Sequence, residues 1–259
     1  MSNVIEPGYF LIKELDIPKH MQVWYLVMIY PYGLYYDPLI LAVIAVFILG
    51  LIAQGRVTRT FSKYSKEPAS SGLTGQEVAQ RLLDQGGSSV TIRPVNGSLT
   101  DHFDPRNQTV GLSNSVYGSR SIAALAVAAH EIGHVMQYEE GYFPIRLRNA
   151  ILPVASFGSG AAPWIVVLGL IFGMGDLAMA GVWLFGAVLA FQLITLPVEL
   201  NASRRALAML QDGGFLSYDE TPAARKVLRA AAMTYVVAVL SALVSFLRLF
   251  LLARRSSRD

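Results

Sequence analysis

Leu177-Ala-Met-Ala-Gly-Val-Trp-Leu-Phe-Gly-Ala-Val-Leu-Ala-Phe-Gln-Leu-Ile-Thr-Leu-Pro-Val198 runs for 22 residues without an Asp, Glu, Lys or Arg. As a helix it would rise ~33 Å, about the depth of a bilayer core. Three similar stretches lie between Asp37 and Arg56, Arg148 and Asp176, and Arg229 and Arg248. One alone would be an ordinary buried helix. Four, in a 259-residue chain with only 15% charged residues, leave too little polar sequence to cover them in water. Four transmembrane helices are expected, near 38–54, 150–173, 177–198 and 231–253. In the last, Arg248 would snorkel to the interface.

Residues 21–36 are also uncharged, but they are rich in aromatics and broken by Pro31 and Gly33. That suits an interfacial aromatic segment better than a fifth span. The start lacks a basic n-region and an Ala-x-Ala site, so no cleaved signal peptide is expected. Segment 54–149 holds ten Lys/Arg and 199–230 holds five. With four spans both segments share one side, which the positive-inside rule makes the cytoplasm. The tail residues Arg254, Arg255 and Arg258 then lie opposite, outnumbered. A formal charge of +3 is too small to argue for a nucleic-acid partner. The basic residues read as topological determinants near anionic lipid.

The polar part between the first two spans has its own signals. Thr74 with Glu77 three residues later is a capping box, Val78, Leu82 and Leu83 give an apolar face, and Gly86-Gly87 ends the helix. Val90–Val95 alternates like a strand, Asn96-Gly97 is the strongest hairpin dipeptide, and Leu99–Phe103 is the expected return strand. Asp104–Asn107 reads as a second turn and 108–113 as a third strand. Strand 108–113 is a candidate edge for holding an extended substrate, or simply part of a structural hairpin.

Residues 130–134 read His-Glu-Ile-Gly-His, and the chain has only four histidines. On a helix, positions i and i+4 share a face, so His130 and His134 can address one ion. Glu131 stands where it can take a proton from a water activated by that ion. The surrounding segment is alanine-rich, with Ser119 or Ser121 as a cap and Gly141 and Pro144 as stops, so a buried helix over 120–139 is expected. Gly133 would let another element approach closely. The alternative is a buried helix with two hydrogen-bonded histidines, which does not require the glutamate.

A catalytic zinc needs a third protein ligand and leaves the fourth position to water. There is no cysteine, which also excludes disulfides and a thiol nucleophile. The candidates are His20, His102 and Glu199. Glu199 lies 65 residues after His134 and closes the quoted stretch. A transmembrane hairpin would return it to the face of the motif helix, although a glutamate there could simply mark the end of a span. His102, in Asp101-His-Phe-Asp104, could donate to a developing oxyanion or bond a loop.

Several stretches together resemble the YugP-type neutral zinc metallopeptidases, a bacterial membrane family. They are Tyr64-Ser-Lys, Leu73-Thr-Gly-Gln-Glu-Val-Ala, Leu99-Thr-Asp-His-Phe-Asp-Pro-Arg-Asn, Ala126-Val-Ala-Ala-His-Glu-Ile-Gly-His, Thr195-Leu-Pro-Val-Glu-Leu-Asn-Ala-Ser-Arg-Arg-Ala and Ala230-Ala-Ala-Met-Thr-Tyr-Val. The resemblance covers most of the chain from Tyr36 onward, and the first ~35 residues look like an extension. The family is similar in plan to HtpX-type membrane gluzincins, which implies Glu199 as third ligand. There an aspartate four residues after the glutamate braces a ligand histidine. Here that position is Ser203, a weaker partner. Arg204, Arg205 and Tyr235 fall in matching stretches, where facing the site and helix packing explain them equally.

The expected fold is a mainly α membrane protein with about four transmembrane helices and a small α+β zinc-peptidase domain, whose short sheet precedes the His-Glu-x-x-His helix. The expected order is an extension over 1–36, a span over 37–55, a soluble catalytic part over 56–149, a transmembrane hairpin over 150–198, a third-ligand segment with a soluble helix over 199–230, and a last span with a basic tail over 231–259. The expected function is a zinc-dependent endopeptidase of the inner membrane, with zinc on His130, His134 and Glu199 and Glu131 as general base. His102 and Tyr235 are candidate oxyanion donors. Peptides or membrane proteins would be substrates and the bilayer a partner. The rival is a non-proteolytic scaffold in which zinc clamps two segments. A transporter is disfavoured, since no span carries a paired intramembrane charge.

Overall fold

The structure is a computed structural model describing residues 39–256, so His20 and the aromatic segment 21–36 lie outside the described residues. Among the described residues, four helices are long and apolar enough to cross a membrane: α1 (Ile40–Tyr64), α5 (Phe143–Ile171), α6 (Gly175–Asp212) and α7 (Thr221–Ser256). Each overlaps one of the four predicted spans; α6 and α7 outrun theirs at both ends, while α1 begins at Ile40 and α5 ends at Ile171, two residues short of the predicted 173. No more than 33% of the most apolar window of any one is buried, so the apolar side chains point outward, as lipid-facing surface does. At 38 residues, α6 is ~57 Å long, nearly twice what a bilayer core requires. Its last turns, from Glu199 onward, are one uninterrupted continuation of the span.

The chain divides into two compact units. One comprises Ala150–Gln192 with the described residues before Leu49 and after Ala238. Here α5 and α6 meet through small residues. A Cβ added at Gly169 would overlap the Ala178 nitrogen, so backbone touches backbone. Ala162, Val166, Val182 and Phe185 fill the contact, with Leu249 and Ala253 of α7. Arg248 is only 6% exposed and engaged within the structure, so it turns inward instead of snorkelling as expected.

The other unit comprises Leu49–Asn149 and Leu193–Ala238. Its core is built on α4 (Ile122–Glu139), the predicted motif helix, which Ser121 caps by accepting the Ala124 N–H at 3.2 Å. Gly141 ends it in the left-handed region. Pro144 does not merely stop α4; it sits at the start of α5, where its missing N–H costs nothing. Against α4 pack α2 (Gly75–Gly86), with the predicted capping box complete, and the short α3 (Asn114–Tyr117). Leu83, Leu112, Leu125, Ile132 and Leu210 are fully buried between these elements.

The sheet corrects two expectations. Strands β1 (Thr91–Val95), β2 (His102–Asp104) and β3 (Thr109–Ser113) lie in the order β1-β3-β2. The Asn96-Gly97 turn does not fold β1 back on β2. Instead β1 runs parallel to β3, Thr91 opposite Thr109, and the tight hairpin is β2–β3. Its turn is Asp104–Asn107, where the Asp104 carboxylate accepts the Arg106 N–H and the Asn107 amide. Nor is strand 108–113 an edge. It is central and buried over 110–113, and a strand buried on both faces has its backbone paired on each side. Both its edges are occupied, so it cannot hold a substrate by backbone pairing.

Candidate metal centre

Two helices bring the site together, and a missing side chain sets their distance. A Cβ at Gly133 would stand 2.8 Å from the Ala202 carbonyl oxygen and 3.3 Å from its Cα, so α4 and α6 touch backbone to backbone beside the second histidine. Gly133→Ala is expected to force them apart and lower stability by about 1–3 kcal/mol, checked by the detergent-solubilised unfolding midpoint.

At that contact His130 Nε2 stands 3.3 Å and His134 Nε2 3.5 Å from Glu199 Oε2. The three donor atoms lie within 4.8 Å of one another. The two rings meet edge to face, centroids 4.8 Å apart. Glu199 Oε2 is buried and accepts no aligned hydrogen bond. Its other oxygen lies 3.8 Å from Arg148 Nη1.

The far side of each ring is held. The Gln137 amide nitrogen donates to the Val198 carbonyl and to Asn201 Oδ1, both at 2.9 Å. A carbonyl can only accept, so the Gln137 oxygen must face His134 Nδ1, 3.0 Å away. His134 therefore carries its proton on Nδ1, and the neutral ring offers a bare lone pair at Nε2. Asn201 also accepts from Arg205 Nε at 2.8 Å, and the Arg205 guanidinium forks onto Glu140 at 2.7 Å twice. Ser203 Oγ stands 3.3 Å from His130 Nδ1, the longer contact expected of a serine. An orphaned carboxylate oxygen facing two imidazole nitrogens is a poor arrangement without a cation among them. It is the donor set a zinc ion accepts.

Glu131 is buried, and among the described residues no hydrogen bond or ion pair engages it. Burial pushes its carboxyl above the ordinary range, against the pull of the two histidines. With His130 it lines a cavity of ≈ 250 Å³ walled largely by apolar side chains, among them Val57, Leu99, Val127 and Val227. Tyr235 and Asp101 line it too. Asp101 is fixed by the Ser113 N–H at 2.7 Å and hydroxyl at 3.0 Å, which ties the loop before β2 to β3. His102 does not line this cavity. It is exposed on β2, its Nδ1 2.9 Å from the Thr100 carbonyl. Arg204 lines another cavity on α6.

Residues 39–254 match the family described as "Putative neutral zinc metallopeptidase". The chain belongs to the neutral zinc metallopeptidase family. As a neutral zinc metallopeptidase it is 47% identical over 212 residues to the "Putative membrane protease YugP" of Bacillus subtilis (strain 168), an overlap covering 82% of this chain and 94% of that protein. No solved structure matches it. Zinc is the cofactor of this neutral zinc metallopeptidase, and its setting is the membrane.

Gln137, Asn201, Arg148 and Asp101 are the residues that sequence reasoning passed over. Gln137 lies three residues beyond His134, one helical turn on, which is the signal that could have found it. Asn201 and Arg148 reach Gln137 and Glu199 across more than 50 residues, and Asp101 reaches Ser113 across a turn and a strand.

Proposed function

We propose that this protein is a membrane-embedded zinc endopeptidase acting on peptides or membrane-protein segments from the cytoplasmic side of the bacterial inner membrane. His130, His134 and Glu199 hold the zinc. Zinc supplies a Lewis acid and brings the pKa of water toward ~7. Glu131, unpaired and opening on the cavity, takes the proton of the attacking water and passes it to the leaving nitrogen. Tyr235 lines the same cavity and serves as a donor for the developing oxyanion. The apolar wall suits an apolar substrate side chain. The cytoplasmic placement follows from the basic segments flanking the spans.

The convergence of three donor atoms beside a free, buried Glu131 carries this reading. A zinc that merely clamped two segments would leave Glu131 without work and would usually have a closed fourth position. Detergent-solubilised protein should contain zinc and cleave casein at internal bonds, with a chelator abolishing cleavage. Release of terminal residues alone would overturn the endopeptidase assignment, and bound zinc without chelator-sensitive hydrolysis of casein or membrane-protein segments would favour the clamp.

Gln137→Leu removes the partner that fixes the His134 tautomer. Zinc affinity, read by competition with a chromophoric chelator, is expected to fall ~10–100-fold. Unchanged affinity would show that the ring needs no such partner.

A further inference from the structure

Helices α1 and α7 wall a second cavity, ≈ 500 Å³, on a different face of the pair from the one that reaches Glu131. Five cations line it and no carboxylate does: Arg56, Arg59 and Lys63 from α1, and Lys226 and Arg229 from α7. Positions 56, 59 and 63 follow the i, i+3, i+7 spacing of one helix face, and 226 and 229 share a face of α7. All five side chains are exposed, and among the described residues none is paired with a carboxylate. Gathering five like charges around one hollow without a counter-charge is unfavourable unless an anion enters it.

The position of the hollow along the chain says which anion. Arg56 is the first charge after the apolar run of α1, and Arg229 is the last before the apolar run of α7. Both helices thus change from apolar to basic at the same cavity. On the apolar side the same helix faces continue with Ile52, 55% exposed, and Met233, 43% exposed and itself part of the wall. A soluble anion would use the cations and ignore this apolar continuation. An amphiphile with a negative head uses both.

We propose that the cavity binds the phosphate headgroup of an anionic phospholipid, with its acyl chains lying along the apolar faces of α1 and α7. The site rests on membrane residence and not on the hydrolase reading.

Full-length protein in detergent, titrated with phosphatidylglycerol and followed by native mass spectrometry, tests it. Each cation near a headgroup is worth about fivefold, so R56Q/R59Q/R229Q is expected to bind phosphatidylglycerol roughly a hundredfold more weakly. R81Q/R106Q/R225Q loses the same charge outside the cavity and should stay within about twofold of the wild type. Equal losses in both triple variants would overturn the site, since bulk charge would then explain binding. So would phosphatidylcholine binding as tightly as phosphatidylglycerol. Displacement of the lipid by millimolar inorganic phosphate would assign the hollow to a soluble anion instead. Should the first triple variant fail to fold, R59Q and R229Q singly carry the test: about fivefold each supports the site, and no change in either overturns it.

Discussion

Glu131→Gln is expected to leave zinc bound while lowering peptide hydrolysis by ~10²–10⁴-fold, the range a positioned general base supplies. The exchange is nearly isosteric. Glu131 has no partner among the described residues to lose, so the core around Ile132 and Leu125 should stay intact. Glutamine cannot accept the water's proton, and the two histidines keep their own supports on Gln137 and Ser203. Zinc content by atomic absorption, beside turnover of an internally cleaved peptide, separates the two effects. Turnover within tenfold of the wild type would remove Glu131 from the mechanism.

Glu199→Gln should act on the metal itself. The neutral amide can no longer draw in a cation between two imidazoles, and it leaves Arg148 beside an uncharged group. The loss of zinc affinity is expected to exceed the ~10–100-fold that follows removal of an outer partner such as Gln137. Equilibrium dialysis at fixed pH measures it. Hydrolysis at limiting zinc should fall in step and recover partly when zinc is added in excess. Undiminished affinity would move the third ligand elsewhere, and His20 and His102 would return as candidates.

The helices were legible in the sequence because their signals are local. A run of 22 uncharged residues, a capping box at Thr74 and Glu77, and histidines four apart each state their structure within a few turns. The sheet was less so. Asn96-Gly97 does turn the chain, but a turn dipeptide does not choose a strand's neighbour. The burial of the whole stretch 110–113 does, since a buried backbone needs a partner on each side. Within the site, His130, His134 and Glu199 were nameable from spacing and resemblance. The Asn201–Arg205–Glu140 chain behind Gln137 was not, since it depends on α6 lying against the end of α4. Arg148 looked like a span boundary and proved also to face Glu199.

The contact at Gly133 has a consequence for biosynthesis. Glu199 lies 65 positions after His134, and all of α5 and well over half of α6 come between them. A ribosome-bound chain that has made its two histidines still lacks the carboxylate, and has nothing to press against the glycine. Newly made protein is then harmless to its neighbours until the hairpin of α5 and α6 has been threaded and the end of α6 has docked. The metal centre would carry its own delay.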